Sequence, residues 1–144
     1  MAETLGTLCD KLTIIKLKQF HSEDSARLES LSKQEDKIKN EIDQFVAGAL
    51  NGLVSIDNLS FETNKIFKKE GNETKIIEGD FGELFALLAE VNCNLWHEQE
   101  KVYEFEKVPA DDKDKVVKRL AILNLERNKC IDGIDKNFKE LIIK

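Results

Sequence analysis

Apolar residues recur every three or four positions along most of the chain, and this spacing predicts α-helices. Between Gly6 and Gly48 there is no glycine or proline to interrupt the pattern. A repeat of two helical turns in this stretch predicts one long helix from about residue 3 to 49. The repeat runs through Leu17, His21, Asp24, Leu28, Leu31, Glu35, Ile38, Ile42, Phe45 and Ala49.

Residues 22–25 are the weak point of this predicted helix, because serine and aspartate compete for backbone hydrogen bonds and can cap a new helix. A continuous helix would extend about 70 Å and leave part of its apolar stripe exposed, which a second copy of the chain would bury. A chain that folds back at 22–25 forms a monomeric four-helix bundle instead. The residues expected at the homodimer contact of the continuous helix are Leu28, Leu31, Ile38 and Ile42.

The second half of the chain predicts an antiparallel hairpin of two long helices. Asp80 and Glu83 form a capping pattern before regularly spaced apolar residues, which predicts a helix over 80–107. Pro109 ends this helix, and acidic residues supply the first turn of the next one. In the connection over 51–79, apolar residues predict a short helix near 57–69.

These elements predict an all-α fold with one domain over residues 1–144, in which a long N-terminal helix packs against a C-terminal helical hairpin. Hydrophobic residues make up 41% and charged residues 35% of the sequence, a balance typical of helices with one apolar and one polar face. The length is sufficient to bury a core without cross-links.

The charge pattern restricts the classes of partner. The formal net charge is -6, and lysines alternate with glutamates along the helices, so nucleic acid is not an expected ligand. No segment is apolar for long enough to predict a membrane span, and the first residues do not resemble a secretion signal. We therefore expect a cytoplasmic location and no membrane insertion.

The two histidines of the sequence occur in matching contexts, each directly after an aromatic residue and three positions before an acidic one. Residues three apart on a helix point the same way, so each context can present an imidazole beside a carboxylate. The two groups are Phe20-His21 with Asp24 and Trp96-His97 with Glu100.

The second histidine lies on a polar strip of its predicted helix, formed by Glu90, Cys93, His97 and Glu100. If His21 and Asp24 face this strip across the bundle, the side chains form a small-molecule or metal-binding pocket. The alternative is structural, since an imidazole at a helix contact commonly bonds to a carboxylate without further chemistry. The residue types favour the structural interpretation.

Motifs of catalysis are absent from the sequence: it has no nucleophile elbow, glycine-rich phosphate loop or zinc-protease helix. Cys9, Cys93 and Cys130 lie far apart and form no CxxC pair, so we interpret them as core residues. We expect no cofactor, and the sequence favours a binding protein over an enzyme.

Two segments of the second half, over residues 95–101 and 123–135, resemble an uncharacterised bacterial helical family with a W-H-x-x-[DE]-K element and a later L-N-x-x-R-N-x-x-I-[DE]-x-I-D element. Residues 10–15 are similar to the D-[KR]-[LI]-[ST]-I-L opening of a second uncharacterised helical family. Genes of such families often lie near polysaccharide glycosyltransferases, so the resemblance implies an accessory role in surface-polysaccharide assembly. It also marks a polar set expected to bond between helices: Trp96, Lys101, Asn124, Arg127, Asn128 and Asp135.

Two functions from different classes remain open at this point. The first is a helical interaction or scaffold protein, expected to be a homodimer, which follows from the long apolar register. The second is a small-molecule or metal site between helices, built on His97, Glu100 and His21. The separation of the two imidazoles in the folded protein discriminates between them.

Overall fold

The described part of the chain is a bundle of helices. The computed structural model describes residues 3–61 and 77–144. These residues form four α-helices and contain no β-strand, so the all-α prediction is confirmed. The helices are α1 (Leu5–Phe20), α2 (Ser25–Leu50), α3 (Phe81–Tyr103) and α4 (Ala110–Ile143), with one-turn 3-10 helices at Ile56–Asn58 and Phe105–Lys107.

The chain turns back between α1 and α2, which corrects the prediction of one continuous helix over 3–49. Asp24 begins α2, and its carboxylate accepts hydrogen bonds from the backbone N–H groups of Ala26 and Arg27 at 2.9 and 3.1 Å. This cap satisfies donors that a continuous helix would bond to the preceding turn. The structure therefore has the alternative fold, in which residues 22–25 interrupt the helix.

Contacts between α1 and α2 bury part of the stripe that was expected to join two subunits. Leu31 is only 4% exposed within a single chain. Glu35 of α2 accepts hydrogen bonds from Gln19 at 2.9 Å and from Lys16 at 3.3 Å, both on α1. A hydrogen bond from Lys39 lowers the pKa of Glu35 to about 2, and the bond from Gln19 adds to this effect. The long exposed overhang that motivated the homodimer prediction is absent.

The predicted hairpin is present, and α3 and α4 provide most of the core. Leu84, Leu88 and Val91 of α3 are almost completely buried, as are Leu123 and Ile134 of α4. The final turns of α2 join this core through partly or fully buried apolar side chains, namely Ile42, Phe45, Val46 and Ala49.

Helix α1 approaches α4 closely because residue 6 is a glycine. A Cβ atom at Gly6 would lie 2.6 Å from the backbone oxygen of Ile131 and 2.9 Å from a carboxylate oxygen of Asp135. A larger residue would therefore force the two backbones apart. Thr4 begins α1 and exchanges hydrogen bonds with Thr7, so this close approach occurs at a well-capped helix end.

Two predicted boundaries change in the structure. The helix predicted over 80–107 ends at Tyr103 and is followed by the 3-10 turn Phe105–Lys107. The short helix predicted near 57–69 lies largely outside the described residues, and its first part is the 3-10 turn Ile56–Asn58. Leu59, directly after that turn, is fully buried in the core.

Candidate functional site

Asp10 is a buried carboxylate in α1 at which three helices meet. Its side chain is 6% exposed. Arg127 of α4 binds it through two N–H groups: Nε donates to Oδ1 at 2.8 Å, and Nη2 donates to Oδ2. Asn92 of α3 donates to the same Oδ1 at 2.9 Å. The planar guanidinium and the amide together neutralise and fix the buried charge.

Thr13 completes this polar network on the next turn of α1. Its hydroxyl accepts a hydrogen bond from Asn92 at 2.7 Å and donates to the backbone oxygen of Asp10 at 2.7 Å. The hydrogen bond with Asp10 raises the pKa of Arg127, even though burial lowers it. The guanidinium is therefore permanently charged where it meets α1.

Asp135 of α4 is a second buried carboxylate, and it holds the first turn of α1. Its Oδ1 accepts a hydrogen bond from the backbone N–H of Gly6 at 2.7 Å. Burial raises the pKa of Asp135 to about 6, although bonds with the side chain of Thr4 and the backbone of Gly6 act in the opposite direction. Burial also raises the pKa of the Cys9 thiol to about 12, and the nearby carboxylates add to that rise. Cys9 is therefore an uncharged core residue.

The two histidines meet where α1 ends. The ring of His21 stacks on Trp96 of α3, with centroids 4.8 Å apart and planes 10° from parallel. His97 lies edge-on to His21 at 6.3 Å, and Phe20 lies edge-on to His21 at 5.2 Å. Tyr103, seven residues after Trp96, lies two turns further along the same face of α3. We name Phe20, His21, Trp96, His97 and Tyr103 the aromatic end.

His97 lies between a thiol and a carboxylate on its own helix. Its Nε2 is 3.7 Å from the sulfur of Cys93, and its Nδ1 is 3.6 Å from Oε1 of Glu100. This order of groups occurs in cysteine nucleophile sites. Here the side chains of His97 and Glu100 are 60% and 56% exposed, so water competes for both groups. The arrangement favours a solvated surface cluster over a nucleophile held for catalysis.

The remaining residues expected at a metal site are placed differently. Asp24 caps α2 and does not join the two imidazoles through any described hydrogen bond. Glu90 is exposed on α3, one turn before Cys93. Across residues 3–61 and 77–144, no three histidine, cysteine, aspartate or glutamate side chains form a group that could hold a metal ion.

The polar set marked by the family resemblance separates into two kinds of contact. Arg127 and Asp135 bond between helices, and both contact α1 instead of linking α3 to α4. Lys101 pairs with Glu98 on its own helix at 3.1 Å. The side chain of Asn128 donates to the backbone oxygen of Asn124, also on its own helix, at 2.8 Å.

The sequence analysis placed Arg127 in an interhelical polar set but did not identify its partner Asp10 or the amide of Asn92. Asn92 lies four residues after Leu88 and four before Trp96, inside the buried stripe of α3. Asp10 occupies an equivalent position four residues before Ile14. A polar side chain at such a position requires a buried partner, and this requirement was the available signal.

Comparison with known proteins gives no family assignment. No protein-family model, curated protein or solved structure matches the chain. Within the described ranges, no helix is both long enough and apolar enough to cross a membrane. The functional interpretation therefore depends on the geometry of the side chains.

Replacement of Arg127 with methionine should strongly destabilise the protein, because the Asp10 carboxylate would remain buried without its cation. We expect the free energy of unfolding, measured with urea, to fall by about 3 to 5 kcal/mol. Arg119→Met, which removes an exposed charge from the same helix, should change it by less than about 0.5 kcal/mol. Adding Asp10→Asn to Arg127→Met should recover part of the loss. Equal effects of the two arginine substitutions would contradict a central role for the ion pair.

Replacement of Asp135 with asparagine should change how stability depends on pH. The folded protein raises the pKa of Asp135 from 3.8 to about 6, so folding disfavours its charged form. The stability present below pH 4 is thus lost as the pH rises through 6, by an amount of the order of 2 to 3 kcal/mol. Unfolding measured from pH 4 to 7 should show a smaller loss in Asp135→Asn than in the wild type. Asp114→Asn, at an exposed position, should retain the wild-type slope.

Proposed function

We propose that the chain is a helical interaction protein that binds another protein through its aromatic end. The exposure of two large rings carries this proposal: Phe20 is 84% exposed and Tyr103 is 78% exposed. Single exposed apolar residues are common on protein surfaces, but Phe20 contacts a histidine that stacks on Trp96, and Tyr103 lies two turns after Trp96 on the same helix. Covering both rings would remove a large apolar area from water.

Ring contacts order Phe20, His21, Trp96 and His97 of the aromatic end before any partner binds. His21 is fixed against Trp96 by stacking, and Phe20 is in edge contact with His21. A surface that is already ordered loses little conformational entropy on association. This favours recognition over simple nonspecific adhesion.

The end of α3 extends the surface beyond the end of α1. His97 lies against His21, at the C-terminal end of α1, and α3 continues from there to Tyr103. Six further residues correspond to about 9 Å of helix. Tyr103 therefore lies close enough to the ring cluster for one partner to contact both.

The composition of this surface fits a protein partner. Tryptophan, tyrosine and phenylalanine are enriched in the cores of protein interfaces, and charged side chains form the rim. Here the Glu98–Lys101 pair and the exposed Glu100 provide such a rim. The two families that the sequence resembles suggest that the partner is an enzyme of bacterial surface-polysaccharide assembly in the cytoplasm.

A photoreactive phenylalanine analogue at position 20 tests this function in the full-length chain. We expect irradiation in a cell extract to attach one protein partner, identified by mass spectrometry, and we expect Tyr103→Ser to reduce the yield at least ~10-fold. The matched control places the analogue at Phe85, an aromatic position that is 36% exposed in the first turns of α3. Equal labelling from both positions, or none from position 20, would count against the proposal.

A second copy of the chain is the alternative occupant of the aromatic end. The homodimer was predicted from the exposed apolar stripe of a continuous helix, and that argument no longer applies because the chain turns back at residues 21–24. A cross-link between two identical chains, together with a concentration-dependent mass in light scattering, would assign the aromatic end to self-association instead.

A metal site is the second candidate function, because the two imidazole rings are only 6.3 Å apart. The described side chains form no three-ligand group as they stand, so a metal ion would require both imidazoles to rotate and Cys93 or Glu100 to join them. Rotation would cost the stacking of His21 on Trp96, which is why we place this function second.

Zinc titration by calorimetry tests the second candidate directly. If His21 and His97 hold a metal, the wild-type protein should bind one zinc ion, and His97→Ala and His21→Ala should each weaken binding at least ~10-fold. Replacement of Phe20 with serine should leave zinc binding unchanged. The absence of zinc binding to the wild type would eliminate this candidate without affecting the aromatic-end proposal.

A further inference from the structure

A groove of about 420 Å³ lies along α1 and is also lined by residues of α2 and by Arg127 of α4. Four cationic side chains and one carboxylate, Glu41, contribute to its lining. This local excess of positive charge occurs in a protein whose net charge is -6. We name it the basic groove and define it by its cations, which are Lys11, Lys18, Lys37 and Arg127.

Two of these lysines are not neutralised by the described protein. Lys18 on α1 and Lys37 on α2 form no ion pair within residues 3–61 and 77–144, whereas Lys11 pairs with Glu3. Like charges grouped in a concave surface repel one another and attract an anion. The basic groove therefore retains positive charge that a ligand can neutralise.

Arg127 adds a hydrogen-bond donor whose position is fixed by its ion pair with Asp10. Asp10 binds Nε and Nη2, and the arginine side chain remains 34% exposed. Its Nη1 group has no acceptor among the described residues. A guanidinium held in this way can donate further hydrogen bonds without first becoming ordered.

The lining of the basic groove also contains apolar side chains. They are Ile14 and Ile15 of α1 and Ile38 of α2. Apolar surface with a few convergent polar groups is typical of small-molecule sites, and the groove volume is within the usual range for them. The ligand should therefore combine an anionic group with an organic part.

A second groove, of about 550 Å³, lies at the tip of the hairpin. It shows that the presence of lysines alone does not make a groove a candidate anion site. It also contains several lysines, but Lys101, Lys107 and Lys115 each pair with a carboxylate three residues earlier in the chain. Arg119 is the one cation of this lining without an ion pair among the described residues. The lining of the second groove also contains three carboxylates, whereas the basic groove has one carboxylate and two unpaired lysines, Lys18 and Lys37.

We propose that the basic groove binds the phosphate group of a small organic phosphate or diphosphate. Lys18, Lys37 and the Nη1 group of Arg127 bind the phosphate oxygens, and the three isoleucines of the lining contact the organic part. Phosphate is favoured over a single carboxylate because its several oxygens and double charge match several converging cations.

Calorimetry of the full-length protein at low salt tests this proposal with phenyl phosphate and inorganic pyrophosphate. We expect one site per chain, with weaker binding as salt is added. The double variant Lys18→Gln/Lys37→Gln should bind at least ~10-fold more weakly. Lys33→Gln/Lys136→Gln is the matched control, because it removes the same charge from exposed positions outside the groove and should bind within about twofold of the wild type.

Further outcomes of the experiment are distinct. No binding of either phosphate at millimolar concentration, or equal weakening in the two double variants, would overturn the proposal. The proposal would also be overturned if polyglutamate bound tightly, lost this binding in Lys18→Gln/Lys37→Gln, and the phosphates did not bind. Binding to phosphatidic acid vesicles, lost in the same variant and without binding of the soluble phosphates, would assign the phosphate to a lipid headgroup. Circular dichroism of both variants verifies that the helices are intact.

Discussion

The buried carboxylate of Asp10 constrains the arrangement of three helices. An uncompensated charge in this position would be costly, so α4 must supply Arg127 and α3 must supply Asn92 at the same point along α1. Apolar contacts alone permit helices to slide or rotate with small changes in energy. A bidentate ion pair permits neither, because both oxygen atoms have defined partners. The polar network thus selects one register among many that would bury similar apolar area.

Both candidate surfaces derive from this register. Toward the C-terminal end of α1, the fixed position brings His21 onto Trp96 and directs Phe20 outward. Arg127 of α4 also lines the basic groove beside α1, and its position there is fixed because Asp10 binds its Nε and Nη2 groups. The structural ion pair and the proposed ligand contact therefore share one guanidinium. A side chain that stabilises the bundle is in this way also available to a ligand.

The sequence was sufficient to predict the helical class, the hairpin, the start of α3 and the start of α4, since these follow from local spacing, from the capping pattern and from Pro109. It was not sufficient to decide whether residues 3–49 were straight, because that choice depends on whether the cap formed by Asp24 outweighs the continued helix. The pairing of the two histidine contexts could be suggested, but only tertiary packing determines that His21 meets Trp96. The basic groove had no sequence signal, because its cations come from three helices.

The bend between α1 and α2 contains neither glycine nor proline, so no backbone restriction imposes it. Side-chain interactions maintain it instead: the Asp24 cap on one side and the His21 ring stack on the other. The cap is local to the bend, whereas the ring stack depends on the packing of α1 against α3. The geometry of the bend is consequently coupled to the position of α1 in the bundle.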